Sequence, residues 1–76
     1  MAHHSHIRWY NPELEDFEWR TVPRSDEEVL KLLNGFPYSQ TCKETYGEWR
    51  KLGATITVAL IRAGEAALRR EEEDGR

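Results

Sequence analysis

Past position 6 the chain holds no histidine, and its 76 residues include one cysteine, Cys42. A lone cysteine excludes an intramolecular disulfide framework, and no Cys/His set has zinc-finger spacing. As a nucleophile Cys42 would need a nearby base and an electropositive setting, so burial in the core is the better reading. Long apolar runs are also missing: none approaches the ~18 residues of a membrane-spanning helix, and the first residues lack the apolar region of a signal peptide. Dinucleotide-fold and phosphate-loop glycine patterns, the nucleophile elbow, the paired-histidine zinc motif and the calcium-binding loop are all absent. With little volume for a concave pocket, catalysis is not expected and no metal or cofactor is assigned. A free thiol suits a reducing compartment, so a cytoplasmic protein is expected.

The chain is short of core as well. Apolar residues make up 38% of it, and a single domain of this size buries only about 60% of its unfolded surface. Such a chain needs very good helix packing or self-association, which makes a homodimer the expectation. The net charge of −3 arises at one end, because Glu71 to Asp74 oppose Arg76 alone. The remainder is neutral, so a basic patch elsewhere is allowed.

What is present falls into three parts: an N-terminal segment 1–6, one small domain over 7–70, and an acidic, frayed tail over 71–76. The first part carries all three histidines. A histidine third from the amine could chelate a tetragonal cation, but an unstructured start is the plainer reading. Ile7–Tyr10 and Phe17–Val22 read as short strands around an Asn11-Pro12 turn. In the second strand Phe17, Trp19 and Thr21 share one face, expected to cover a helix, and Glu18, Arg20 and Val22 take the other. Arg8 and Arg20 would lie near one another. The acidic residues Glu13, Glu15, Asp16 and Glu18 read as solvated surface.

Ser25 followed by Glu28 forms a capping box opening a helix of about ten residues. Asn34-Gly35 would close it through a left-handed residue. From Ser39, a plausible N-cap, to Glu73 the helical period places Cys42, Trp49, Ile56, Leu60, Ala63 and Ala67 on one face, flanked by Leu52, Ala59 and Tyr46. Val58 and Ile61 fall off that stripe and suggest a second contact. The β-branched run Thr55–Val58 leaves a buried strand over 54–61 as the rival. Gly53 is where a long helix would kink or break. The fold expected is therefore α+β and mostly helical: a hairpin, a short capped helix and a long helix.

Two kinds of binding function follow. The first is a small regulatory or adaptor protein that contacts a larger protein, for example in the transcription machinery. Eight aromatic residues exceed what a small core easily hides, and Trp, Tyr and Arg carry interface energy. Ile7, Arg8, Trp9, Tyr10 and Arg20 form that candidate patch, so Trp9→Ala should weaken binding and leave the fold. The second is nucleic-acid binding. Strand, capped helix, turn and helix in that order resembles the ribbon-helix-helix repressors, which implies a dimer with paired strands in the major groove. Its candidate contacts are Arg20 on the ribbon and a helical stripe of Lys51, Arg62 and Arg69. A protein partner ranks first.

Overall fold

The computed structural model describes residues 6–75; the first five residues, with His3 and His4, and Arg76 lie outside it. Strand β1 (His6–Asn11) pairs antiparallel with β2 (Asp16–Thr21), and three helices follow: α1 (Asp26–Asn34), α2 (Ser39–Lys51) and α3 (Ile56–Asp74). The architecture is α+β and mostly helical. His6 is already part of β1, and α3 takes in Glu71 to Asp74. The inner residues of the expected terminal segments thus belong to regular structure.

The hairpin closes through Pro12 to Glu15. Asn11 shapes the entry: its Oδ1 accepts the Glu13 N–H at 2.8 Å, the local bond that makes Asn a turn residue. Glu15 takes the left-handed conformation, φ 56°. Ser25 caps α1 by accepting the Glu28 N–H at 3.2 Å. Asp26, Glu27 and Glu28 lie in its first turn, at the positive end of the helix dipole. The end of α1 differs from expectation. Gly35 has φ −87°, and its N–H and that of Phe36 return to Leu32 and Leu33 at 3.3 and 3.2 Å. A tightened last turn satisfies the free carbonyls, so no left-handed residue is required.

The long segment breaks at Gly53. Arg50 and Trp49 carbonyls accept from Gly53 and Ala54 at 3.0 Å each, and Gly53 itself has φ 94°, a conformation that other residues adopt only with strain. Thr55 then caps α3 by accepting the Val58 N–H at 3.2 Å. The strand alternative for 54–61 is excluded: these β-branched residues start a helix, with Thr55 as its cap. Ser39, by contrast, is the first residue of α2 and not its cap. Tyr38 holds that place in the left-handed region, φ 59°, without a capping side chain.

Breaking the segment lets α3 fold back along α2. The Arg62 guanidinium lies 5.0 Å from the Trp49 ring centre, thirteen residues away and far beyond reach along one straight helix. The predicted stripe survives because both halves turn it inward. Cys42, Tyr46, Ala59, Leu60, Ala63 and Ala67 are buried, with Trp49 and Ile56 half-covered at the edge. Leu52, at the turn, is left exposed. Ile61 does pack on the core, whereas Val58 remains on the surface.

The layers run α1 on α2, α2 on α3, and α3 on β1. Trp9, Leu33, Leu60, Val29 and Cys42 form the fully buried centre. Burial pushes the Cys42 thiol up to about 11, which keeps it protonated and unreactive near neutrality. Two side-chain links fasten the periphery. Tyr46 donates to Asp26, and Arg50 bonds Asp26 at 2.9 Å and the Ala54 carbonyl at 2.8 Å, joining α1 to the α2–α3 turn. At the other end the Tyr10 hydroxyl donates to Glu71, which ties the last turns of α3 to the hairpin.

Candidate interaction surface

Register decides which residues of the hairpin share a face. Ile7 faces Arg20, Arg8 faces Trp19, Trp9 faces Glu18, and Tyr10 faces Phe17. Directly opposed residues share a face, so Ile7, Trp9, Glu18 and Arg20 point one way and Arg8, Tyr10, Phe17 and Trp19 the other. The first set meets the helices. Ile7 and Trp9 are buried there, Trp9 with its ring 5.5 Å from that of Phe36.

This reverses the face assigned to the second strand. Phe17 and Trp19 cover no helix; they look outward, and Trp19 is 70% exposed. Glu18 and Arg20 turn inward instead. The reason is position: β1 is the strand laid on α3, and β2 overhangs its side. An overhanging strand can line the core's rim with polar groups, provided they are paired. They are paired here. Glu18 Oε2 accepts from Asn11 Nδ2 at 2.7 Å, Trp9 Nε1 at 3.2 Å and Arg20 Nη1 at 3.3 Å. Glu18 is thus not the solvated acid expected of that cluster. Arg8 and Arg20, expected as neighbours, lie on opposite faces.

Burial alone would raise the Glu18 carboxyl, but those three hydrogen bonds outweigh it and hold it below the ordinary value. The unfolded chain then binds the proton more readily. Stability from Glu18 is whole above the unfolded value of about 4.3 and is lost as pH falls through the lowered folded one. The tyrosines act in the opposite sense. Burial, then the hydrogen bond and charge of Glu71, raise Tyr10; burial and Asp26 raise Tyr46; burial and Asp74 raise Tyr38. Their contribution is whole below about pH 10 and is lost as pH rises through the folded values. A spectrophotometric titration should therefore show at most one of the three tyrosines ionising near pH 10 while the circular dichroism stays native. Phenolate absorbance of two or three tyrosines rising there without loss of structure would refute the tethering of the Tyr10 and Tyr46 hydroxyls.

Of the residues proposed for a partner, Ile7, Trp9 and Tyr10 are core, each under 8% exposed. They are closed to a partner in this fold. Arg8 remains, exposed, with its guanidinium 4.6 Å from the centre of the Phe17 ring. On its other flank Phe17 meets the edge of Tyr10, centres 5.5 Å apart. Arg8, Phe17 and Trp19 thus make one platform, held from below by Tyr10 and its bond to Glu71. Leu14, at the hairpin tip, is exposed as well. Phe17 and Trp19 were missed because both faces of the hairpin carry aromatic residues.

The residues proposed for nucleic acid are scattered. Lys51 ends α2, whereas Arg62 and Arg69 lie on α3, so the break removes the single axis that aligned them. Arg62 stacks on Trp49 and bonds Glu65 at 2.8 Å. Lys43 bonds Asn34 at 2.8 Å and Arg50 is committed to Asp26. Arg20 borders a shallow groove of about 430 Å³ with Val22, Pro23, Arg24, Glu28 and Leu32. Among the described residues no group of three or more His, Cys, Asp or Glu could hold a metal, and no helix is long and apolar enough to cross a membrane. No known family matches the chain, and no curated protein or solved structure proves significantly similar to it.

Proposed function

We propose that the chain is a small non-enzymatic adaptor or regulator, homodimeric, that binds a larger protein through the outer face of its hairpin. The observation that carries this reading is Trp19, 70% exposed on a strand whose register and neighbours are fixed. An exposed indole has only two side-chain torsions to fix, so it costs little conformational entropy to bury. Trp, Tyr and Arg are also the residues that dominate interface energy.

Charge favours a protein over nucleic acid. Between His6 and Thr21 stand four acids (Glu13, Glu15, Asp16, Glu18) against two arginines (Arg8, Arg20), a net of −2. A phosphate backbone is bound through excess positive charge. The ribbon also forms within one chain, and Arg20 lies on its inner face.

A photo-crosslinking residue placed at Phe17, next to an intact Trp19, should capture a protein from a cell extract, unchanged by nuclease. Trp19→Ala should weaken that capture by about 30-fold, the scale of a hot-spot residue, with unfolding stability within ~0.5 kcal/mol of wild type. Nuclease-sensitive capture would support nucleic acid instead, and capture indifferent to Trp19→Ala would remove the platform from the function.

A further inference from the structure

Among the described residues the sheet has two strands, so β2 presents one edge to β1 and its other edge meets no strand. Its six residues, Asp16 to Thr21, form an edge long enough to template another strand. We propose that the occupant of this edge is the β2 strand of a second copy, paired antiparallel about a two-fold axis at Trp19, with Glu18 of each copy opposite Arg20 of the other.

Symmetry and charge select that arrangement. A two-fold axis that joins identical edges antiparallel stands perpendicular to the sheet, so outer faces continue into outer faces. Opposed residues must then come from the same face, which restricts the axis to a residue of the strand. Axes at Phe17, Glu18, Trp19 or Arg20 pair three or five residues of β2 with the copy. An axis at Phe17 sets Asp16 against Glu18, one at Glu18 sets that carboxylate against itself, and one at Arg20 does the same for the guanidinium. Like charges directly opposed destabilise a sheet. Only the axis at Trp19 avoids them, and it creates two Glu18–Arg20 pairs. The groups are suited to it. All three described bonds to Glu18 enter through Oε2, leaving Oε1, and Arg20 offers Glu18 a single N–H at 3.3 Å.

The product is a four-stranded sheet with Trp19 beside its copy and Phe17 opposite Thr21 on the outer face. It doubles the Arg8–Phe17–Trp19 platform. That use of the dimer rests on the reading under Proposed function, whereas the pairing itself does not.

The test is oxidative cross-linking of single-cysteine replacements on the surface, with sedimentation equilibrium alongside. Cys42 stays in place, because it is buried. At the axis the two Cβ atoms stand about 4.5–5.5 Å apart, close to disulfide geometry. Two Phe17 positions are offset by four residues, roughly 13 Å. Trp19→Cys should cross-link at least tenfold faster than Phe17→Cys. Arg20→Glu, checked for native circular dichroism, should weaken the wild-type dimer at least tenfold. Equal cross-linking by the two variants, a wild-type monomer up to millimolar concentration, or a dimer indifferent to Arg20→Glu would overturn the proposal. A monomer that still captures protein through Trp19 would overturn the pairing alone. A dimer without Trp19-dependent capture would leave the pairing and remove the binding function.

Discussion

Trp9→Ala is expected to remove much of the stability of the fold. Trp9 is 1% exposed, stacks at a tilt on Phe36, donates to Glu18 at 3.2 Å, and lies against Gly64. Removing a buried indole costs about 3–5 kcal/mol through lost transfer energy and the cavity left behind. Glu18 also loses one of its three donors inside a partly desolvated site. The stability of a chain this long is roughly 4–11 kcal/mol at 0.05–0.15 kcal/mol per residue. Much of that margin disappears in one substitution. Urea unfolding followed by circular dichroism measures it, and a variant within ~1 kcal/mol of wild type would show that Trp9 is not the keystone described. Because Trp9 is buried, its substitution acts on the fold, and the variant expected to spare the fold while weakening the proposed binding is Trp19→Ala, on the other face.

Gly64→Ala is the second large effect, and it opposes helix propensity. In an open helix, replacing Gly by Ala gains up to about 1 kcal/mol. At Gly64, however, a Cβ would stand 2.6 Å from the Tyr10 carbonyl oxygen, 3.0 Å from Trp9 Cε3 and 3.2 Å from the Tyr10 nitrogen. Two of those three atoms are backbone, so no side-chain rotation relieves the contact. Helix α3 would have to lift away from β1, loosening the Trp9 cavity and the Tyr10–Glu71 tie together. Strain of this kind costs about 1–3 kcal/mol, against the propensity gain. Gly47 supplies the control. It lies within α2, and a Cβ there meets nothing within 4 Å. Gly47→Ala should raise stability by up to ~1 kcal/mol while Gly64→Ala lowers it. If both raised it alike, close approach of α3 to β1 would not be what glycine serves at position 64. Trp9 and Gly64 touch, so their combined substitution should depart from additivity.

Much of this fold was legible locally. Ser25 and Glu28 mark the start of α1, Asn11-Pro12 the hairpin turn, and the helical period of Cys42, Leu60, Ala63 and Ala67 the side that becomes buried. Gly53 marked the break. Thr55 was also readable as a helix cap just past that glycine, although its β-branched neighbours suggested a strand. Capping, turn geometry and helical period act over a few residues, so neighbouring sequence suffices to show them.

The candidate site was not legible in this way. A strand alternates its side chains with period two, and this hairpin carries aromatic or aliphatic residues on both faces: Ile7 and Trp9 on one, Tyr10, Phe17 and Trp19 on the other. Pairing sets which residues travel together, but it is neutral about which set faces inward. That choice comes from the helix the sheet meets. Gly64 lets α3 approach the backbone of Tyr10 and the Trp9 ring, which draws the face of Ile7 and Trp9 into the core. The sequence by itself determined the hairpin, the start of α1, Gly53 as the point of a break and the buried side of the helices, because those follow from local geometry. Tertiary packing alone decided that Trp9 is structural and Trp19 exposed, because burial of a two-sided strand depends on a surface some fifty residues away.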